Sequence, residues 1–192
     1  MTKFLLAVHV LAAIVAIGPV TVAASMFPPT VRRALAEPGD RQAVAWVRLL
    51  HRICRVYAVI GLAVPVFGFA TASSMGVLGD TWLIVSIVLT AFAAIALGAL
   101  VLPRQEALLT EIEAIEAAAK ETATATATVP GHNTPAPAPA SPTRPTRPTS
   151  PAPEPPGRRA TARLAMVTGI FNLLWATVTV LMIIRPGSTT GA

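Results

Sequence analysis

Four stretches of this chain are apolar for long enough to cross a bilayer, and polar intervals of very different length separate them. The runs are Phe4 to Met26, Val56 to Leu78, Thr81 to Leu102 and Leu164 to Ile184. Each meets the requirement for a helix that spans hydrocarbon, roughly 20 residues. Four membrane helices are therefore predicted. Within them the small and polar positions recur at helical spacing. His9, Ala12, Ala13, Ala16, Val20 and Ala23 form a stripe on the first helix, and Gly61, Pro65, Gly68 and Ala72 one on the second. Ser86, Thr90, Ala94 and Gly98 align on the third helix, as do Thr168, Asn172, Trp175 and Thr179 on the fourth. Small residues let helices approach, and hydroxyls and amides bond across the contact because lipid offers them nothing. The four stripes are expected to face one another as the interior of an all-α bundle. Gly18-Pro19 and Pro65 are expected to kink their helices.

The polar intervals divide the rest of the chain. Residues 104–121, "RQEALLTEIEAIEAAAKE", place Leu108, Leu109, Ile112 and Ile115 at helical spacing, which predicts an amphipathic extension of the third helix past Pro103. Residues 122–157, from "TATATAT" to "PAPEPPG", offer few groups to bury and many prolines, so they are expected to be a disordered, polyproline-biased linker. "PTRPTRP" has the spacing of a polyproline docking motif, but a plain tether is the expected reading, with His132 solvated in it. The organisation is thus 1–121, three helices with their extension; 122–157, the linker; and 158–192, the fourth helix with a short tail.

Composition agrees with lipid as the solvent: 54% of residues are hydrophobic and 12% charged, against roughly 45–50% and 25% in soluble domains. Charge then orients the chain. If the helices alternate in direction, 27–55 and 103–163 share one side. They carry Arg32, Arg33, Arg41, Arg48, Arg52, Arg55, Arg104, Lys120, Arg144, Arg147, Arg158, Arg159 and Arg163, while Lys3 and Arg185 lie opposite. The positive-inside rule places the basic side in the cytoplasm and both termini outside, in a multi-pass protein of the cell membrane. A cleaved signal peptide would share Lys3 and the small residues of "VAAS", but its removal would push the basic 27–55 segment outside. The net charge of +6 is accounted for by arginines that meet anionic lipid headgroups, so nucleic acid is not an expected partner. The expected partners are the bilayer, those headgroups, and a membrane protein or second copy.

Candidate chemistry is sparse. An ionisable ring inside a membrane helix is a functional candidate by default, which singles out His9. It lies five residues inside its helix, roughly 8 Å down. His51 lies five residues before the apolar part of the second helix, so the two rings cannot share an ion across a core of about 30 Å. His51, among arginines, is expected to be solvated, and Cys54 to be packing. At the depth of His9 the expected neighbours are Ser73, Met75, Ser86, Thr179 and Met182. His9 with Met75 or Met182 suits a haem iron or Cu(I), since imidazole and thioether ligate both. A hydrogen bond from His9 to a serine or threonine hydroxyl inside the bundle is the reading expected over ligation. No phosphate loop, CxxC pair or nucleophile elbow is present, and no catalytic constellation emerges.

The "KFLLAVHVLAAIVAIGPV" start, the basic "RRALAEPGDRQAVAWVRLLHR" loop, the "LVLPRQ" exit and the "FNLLWATVTVLMIIRPG" close resemble a family of bacterial integral membrane proteins, the domain of unknown function 2269. The likeness covers 3–121 and 158–187. That family is similar in layout to copper-resistance inner-membrane proteins and to a haem-binding protoporphyrinogen oxidase. The resemblance implies a haem b or copper role for His9, and departs from those relatives in its long linker and in lacking a tryptophan soon after the histidine. Two expectations of different class result: a structural or accessory membrane protein, or a haem- or copper-binding one. The orientation is checked by fusing a topology reporter after Ala192, which is expected to read as external, and inserting one at Thr134, which is expected to read as cytoplasmic; swapped readings would refute it.

Overall fold

A computed structural model describes residues 2–127 and 156–186. It is an all-α, four-helix transmembrane bundle, in which α1 (Thr2–Ala36), α2 (Arg41–Gly61), α3 (Ala63–Met75), α4 (Thr81–Ile95), α5 (Leu102–Ala127) and α6 (Pro156–Ile184) follow in order. A π-helical segment, Ala96–Val101, joins α4 to α5. Four rods long and apolar enough to cross a membrane result: α1, α2 with α3, α4 with α5, and α6. The chain is thus a polytopic membrane protein. α1 is the hub, packing against α2, α3 and α6; α4 packs on α6, and α5 on α2.

Three of the rods overrun the span expected from their apolar runs on the basic side. α1 continues past Met26 to Ala36, α2 begins at Arg41 instead of Val56, and α6 begins at Pro156 instead of Leu164. The basic loop expected over 27–55 shrinks to the turn 37–40. Its composition is polar, but Phe27, Val31 and Ala34 on one side and Ala43, Val44, Val47, Leu50 and Cys54 on the other recur largely at three- and four-residue steps, and all are buried. The turn itself is written in "EPGD". Gly39 adopts φ +104°, a conformation open to glycine at no steric cost. The Asp40 carboxylate accepts from the backbone N–H groups of Gln42 and Ala43, both at 3.0 Å, and so caps α2. At the other end of the bundle Gly76, with φ +69°, closes α3 in the left-handed conformation common at helix ends.

The third rod runs 45 residues, Thr81–Ala125, about 65 Å at 1.5 Å per residue and far beyond a hydrocarbon core of about 30 Å. The amphipathic extension forms as expected, with Leu108 and Ile112 buried, Leu109 partly so and Ile115 exposed. It reaches six residues into the expected linker. Residues 128–155 of the linker, with His132 and "PTRPTRP", lie outside the described residues. The main core accordingly sits toward the basic end, where Phe27, Val31, Val47, Val101, Leu108, Leu164 and Phe171 meet. There Gly157 at the start of α6 lies so close to α1 that a Cβ would come within 2.7 Å of Leu35 Cδ1. A smaller cluster of Ala72, Trp82 and Leu83 closes the terminal end. The Arg185 guanidinium lies over the Trp82 ring, 5.6 Å from its centroid, within the reach of a cation–π contact.

Prolines mark the rods unequally. Pro65 withholds the N–H that the Gly61 carbonyl would receive, and the second rod breaks there, at Leu62 between α2 and α3. Pro19 leaves α1 continuous. Of the four expected interior stripes, the first two are buried or half-buried throughout. The third leaves Ala94 and Gly98 exposed and buries Ala93, Leu97 and Val101; the fourth leaves Thr179 exposed and buries Val178. Repeated four-residue steps turn about 40° per step away from a straight α-helical line, so stripes drawn that way leave the contact within a few turns.

Candidate functional site

His9 is 8% exposed and meets α3. Its Nδ1 lies 3.0 Å from the carbonyl oxygen of Val64. A carbonyl can only accept, so Nδ1 carries a proton, and in the neutral ring Nε2 keeps the lone pair. The partner is a backbone carbonyl and not the serine or threonine hydroxyl expected from the sequence. The ring lies over Gly68, where a Cβ would stand 2.9 Å from His9 Cε1. Glycine at 68 is what lets the imidazole into the α1–α3 contact. His9, Val64 and Gly68 thus form one tie, immediately beside the Pro65 break.

The two methionines lie toward the terminal end. Met75 is two turns of α3 beyond Gly68, a rise of roughly 10 Å. Met182 packs against the Ala72, Trp82 and Leu83 cluster. The hydroxyls of Ser86 and Thr179, named at the depth of His9, turn back on their own helices: Ser86 donates to the Trp82 carbonyl at 2.8 Å and Thr179 to that of Trp175 at 2.9 Å. Hydroxyl-to-backbone bonds four residues back are the local alternative to bonds across a helix contact. Among the described residues no group of three or more His, Cys, Asp or Glu side chains is placed to hold a metal ion.

A second polar cluster was not legible as a site. Gln105 is fully buried between α2 and α5; its Oε1 lies 3.4 Å from His51 Nδ1, and its amide nitrogen donates to Cys54 Sγ at 3.6 Å. His51 is therefore half-buried and faces an amide, where the sequence predicted a solvated ring. Farther along the same contact Arg48 Nε donates to Glu113 at 2.7 Å, and its terminal NH2 group to Glu116 at 3.4 Å. Two features of the sequence could have found it. His51 and Cys54, at i and i+3, share a helix face, and the glutamine after "LPR" follows Pro103 on the exit. His51 and Val64 are separated by between three and four helical turns, roughly 20 Å along the rod. The two histidines therefore remain separate, as expected.

A third feature lies between α1 and α6. A groove of about 310 Å³ is lined by Ser25, Pro28, Pro29, Arg32, Ala165, Thr168, Gly169 and Asn172. Asn172 donates to the Ser25 hydroxyl at 3.1 Å. Asn172 Oδ1 and Thr168 Oγ1 are buried without a hydrogen-bond partner. No protein-family model, curated protein or solved structure matches this chain.

The His9 tie makes a direct prediction. Gly68→Ala sets a methyl 2.9 Å from the ring and is expected to cost about 1–3 kcal/mol, the range for overpacking. Gly61→Ala, with nothing within 4 Å of the added carbon, is the control. Thermal unfolding in detergent reads both; equal effects would show that the ring does not occupy this contact.

Proposed function

We propose that the chain is a structural or accessory multi-pass protein of the bacterial cell membrane, with its basic end in the cytoplasm and a membrane-protein partner or a second copy docked there. The observation that carries this reading is the position of the core. Phe27, Val31, Val47, Leu108 and Leu164 pack where the rods run past the apolar segments. A helical head of this kind is a rigid surface, and the arginines around it suit anionic headgroups. His9 then acts as a tie, donating to Val64 and holding α1 on the broken rod.

A second reading is favoured by one detail. Histidines that ligate a metal ordinarily donate the other ring N–H to a carbonyl or carboxylate, which fixes the tautomer. His9 does so through Nδ1, leaving Nε2 as the atom that would ligate haem or copper, with Met75 or Met182 as the candidate second ligand. The resemblance to the domain of unknown function 2269 points the same way. Bound there, either group would supply electron-transfer chemistry. His9 supplies a ligand atom of fixed tautomer and excludes water by its burial.

The visible spectrum of detergent-purified protein, with a copper assay alongside, separates the readings. A tie predicts no Soret band and no stoichiometric copper in the wild type. It also predicts that His9→Ala lowers stability by about 0.6–2 kcal/mol, the range for side-chain hydrogen bonds within membranes. A Soret band or bound copper that His9→Ala abolishes would establish the second reading in place of the first.

A further inference from the structure

The groove between α1 and α6 has features that neither reading uses. Pro28 and Pro29 lie side by side inside a continuous helix. Each lacks an N–H, so the carbonyls of Ala24 and Ser25 lose their ordinary helical donors on this stretch. Across the groove stand Thr168, 3% exposed with an unpartnered hydroxyl, and Asn172 with an unpartnered amide oxygen. Buried polar atoms in native proteins have partners, and those without one call for an explanation such as a bound molecule. The wall thus offers acceptors in want of donors and one hydroxyl that can do either. At its rim is the Arg32 guanidinium, exposed, with which no ion pair is formed among the described residues.

Depth narrows the chemistry. Ser25 and Met26 close the apolar run of α1, and Arg32 stands nearly two helical turns farther along, a rise of roughly 10 Å. On α6 the apolar run opens at Leu164, so Ala165, Thr168, Gly169 and Asn172 occupy its first turns. The groove therefore straddles the boundary between hydrocarbon and headgroups on the basic side. Above it Val22, Met26 and Leu173 are exposed apolar side chains, a surface on which acyl chains lie. A molecule that fills this place carries an anionic group for Arg32, an acceptor below it for the Thr168 hydroxyl, and apolar chains continuing into the bilayer.

We propose that the groove is a binding site for one anionic glycerophospholipid drawn from the basic-side leaflet. The phosphate sits on Arg32, and Thr168, deeper in the groove, donates to an ester oxygen. The lipid lies between α1 and α6 beside the double proline and gives the Thr168 hydroxyl the acceptor that the protein does not. The inference rests on the reading of the chain as a membrane protein but not on its orientation, nor on whether His9 holds a cofactor.

The test is native mass spectrometry of the detergent-purified full-length protein titrated with phosphatidylglycerol or with phosphatidylcholine of equal chain length. One phosphatidylglycerol is expected to be retained, in preference to phosphatidylcholine by about fivefold or more, the factor one arginine–headgroup contact supplies. Arg32→Gln is expected to remove that preference and Thr168→Val to weaken retention of phosphatidylglycerol, whereas Arg41→Gln, which removes the same charge from another surface, leaves both unchanged. Unaltered melting of Arg32→Gln confirms that the bundle is intact. Equal retention of the two lipids by wild type, or indistinguishable behaviour of Arg32→Gln and Arg41→Gln, would overturn the proposal. Displacement of the lipid by soluble glycerol phosphate would overturn it too, and would assign the groove to a free phosphate ester.

Discussion

A backbone amide inside hydrocarbon has nothing to bond except its own chain, and this constraint shapes the molecule more than any single contact. It explains why the spans are helical, and it makes each internal proline a local problem. The local arrangement differs from one proline to the next. At Pro65 the rod breaks into α2 and α3, and the His9 ring comes in beside the break to bond the Val64 carbonyl. At Pro103 the Leu102 N–H has reached back five residues to Leu97, so the wide π turn falls where the next residue has no donor to give. At Pro28 and Pro29 the carbonyls left without their helical donors are those of Ala24 and Ser25, whereas the Thr30 hydroxyl goes to the Met26 carbonyl at 2.8 Å and Asn172 to the Ser25 hydroxyl, so neither bond replaces a lost one.

Those ties hold the helices at points, and apolar packing holds them over area. Within lipid there is no hydrophobic drive between helices, so the larger core forms where the rods approach or leave the bilayer. Water there rewards the burial of Val31, Val47, Leu108 and Ile112. α1 contributes to both regimes, with His9 at one end of the rod and Phe27 and Val31 at the other. A bundle anchored in this manner presents a fixed basic head on one side, which is the physical basis for reading it as a platform for a partner.

Much of this was legible in sequence, for identifiable reasons. The four spans were written in long apolar runs, the bundle-facing sides of α1 and α3 in small residues around His9 and Gly68, and the α5 extension in the spacing of Leu108 and Ile112. The head was not. Its helices carry arginines and a double proline, and these masked the three- and four-residue recurrence of Phe27, Val31 and Ala34, and of Val44, Val47 and Leu50. The partner of His9 was equally out of reach, because a backbone carbonyl leaves no mark in sequence. Gln105 illustrates the same limit: one amide among polar neighbours is buried solely because α5 packs along α2.

All of this depends on the helices continuing past the bilayer as a packed head. Hydrogen–deuterium exchange of the full chain in lipid nanodiscs tests that most directly, read at the amides of 30–36, 41–50 and 104–112. These lie largely outside the apolar runs, so lipid alone does not shield them. Packed helices predict exchange slowed by orders of magnitude relative to an unstructured peptide, approaching that of the spans. Exchange at the rate of an unstructured chain in these three segments would contradict the account.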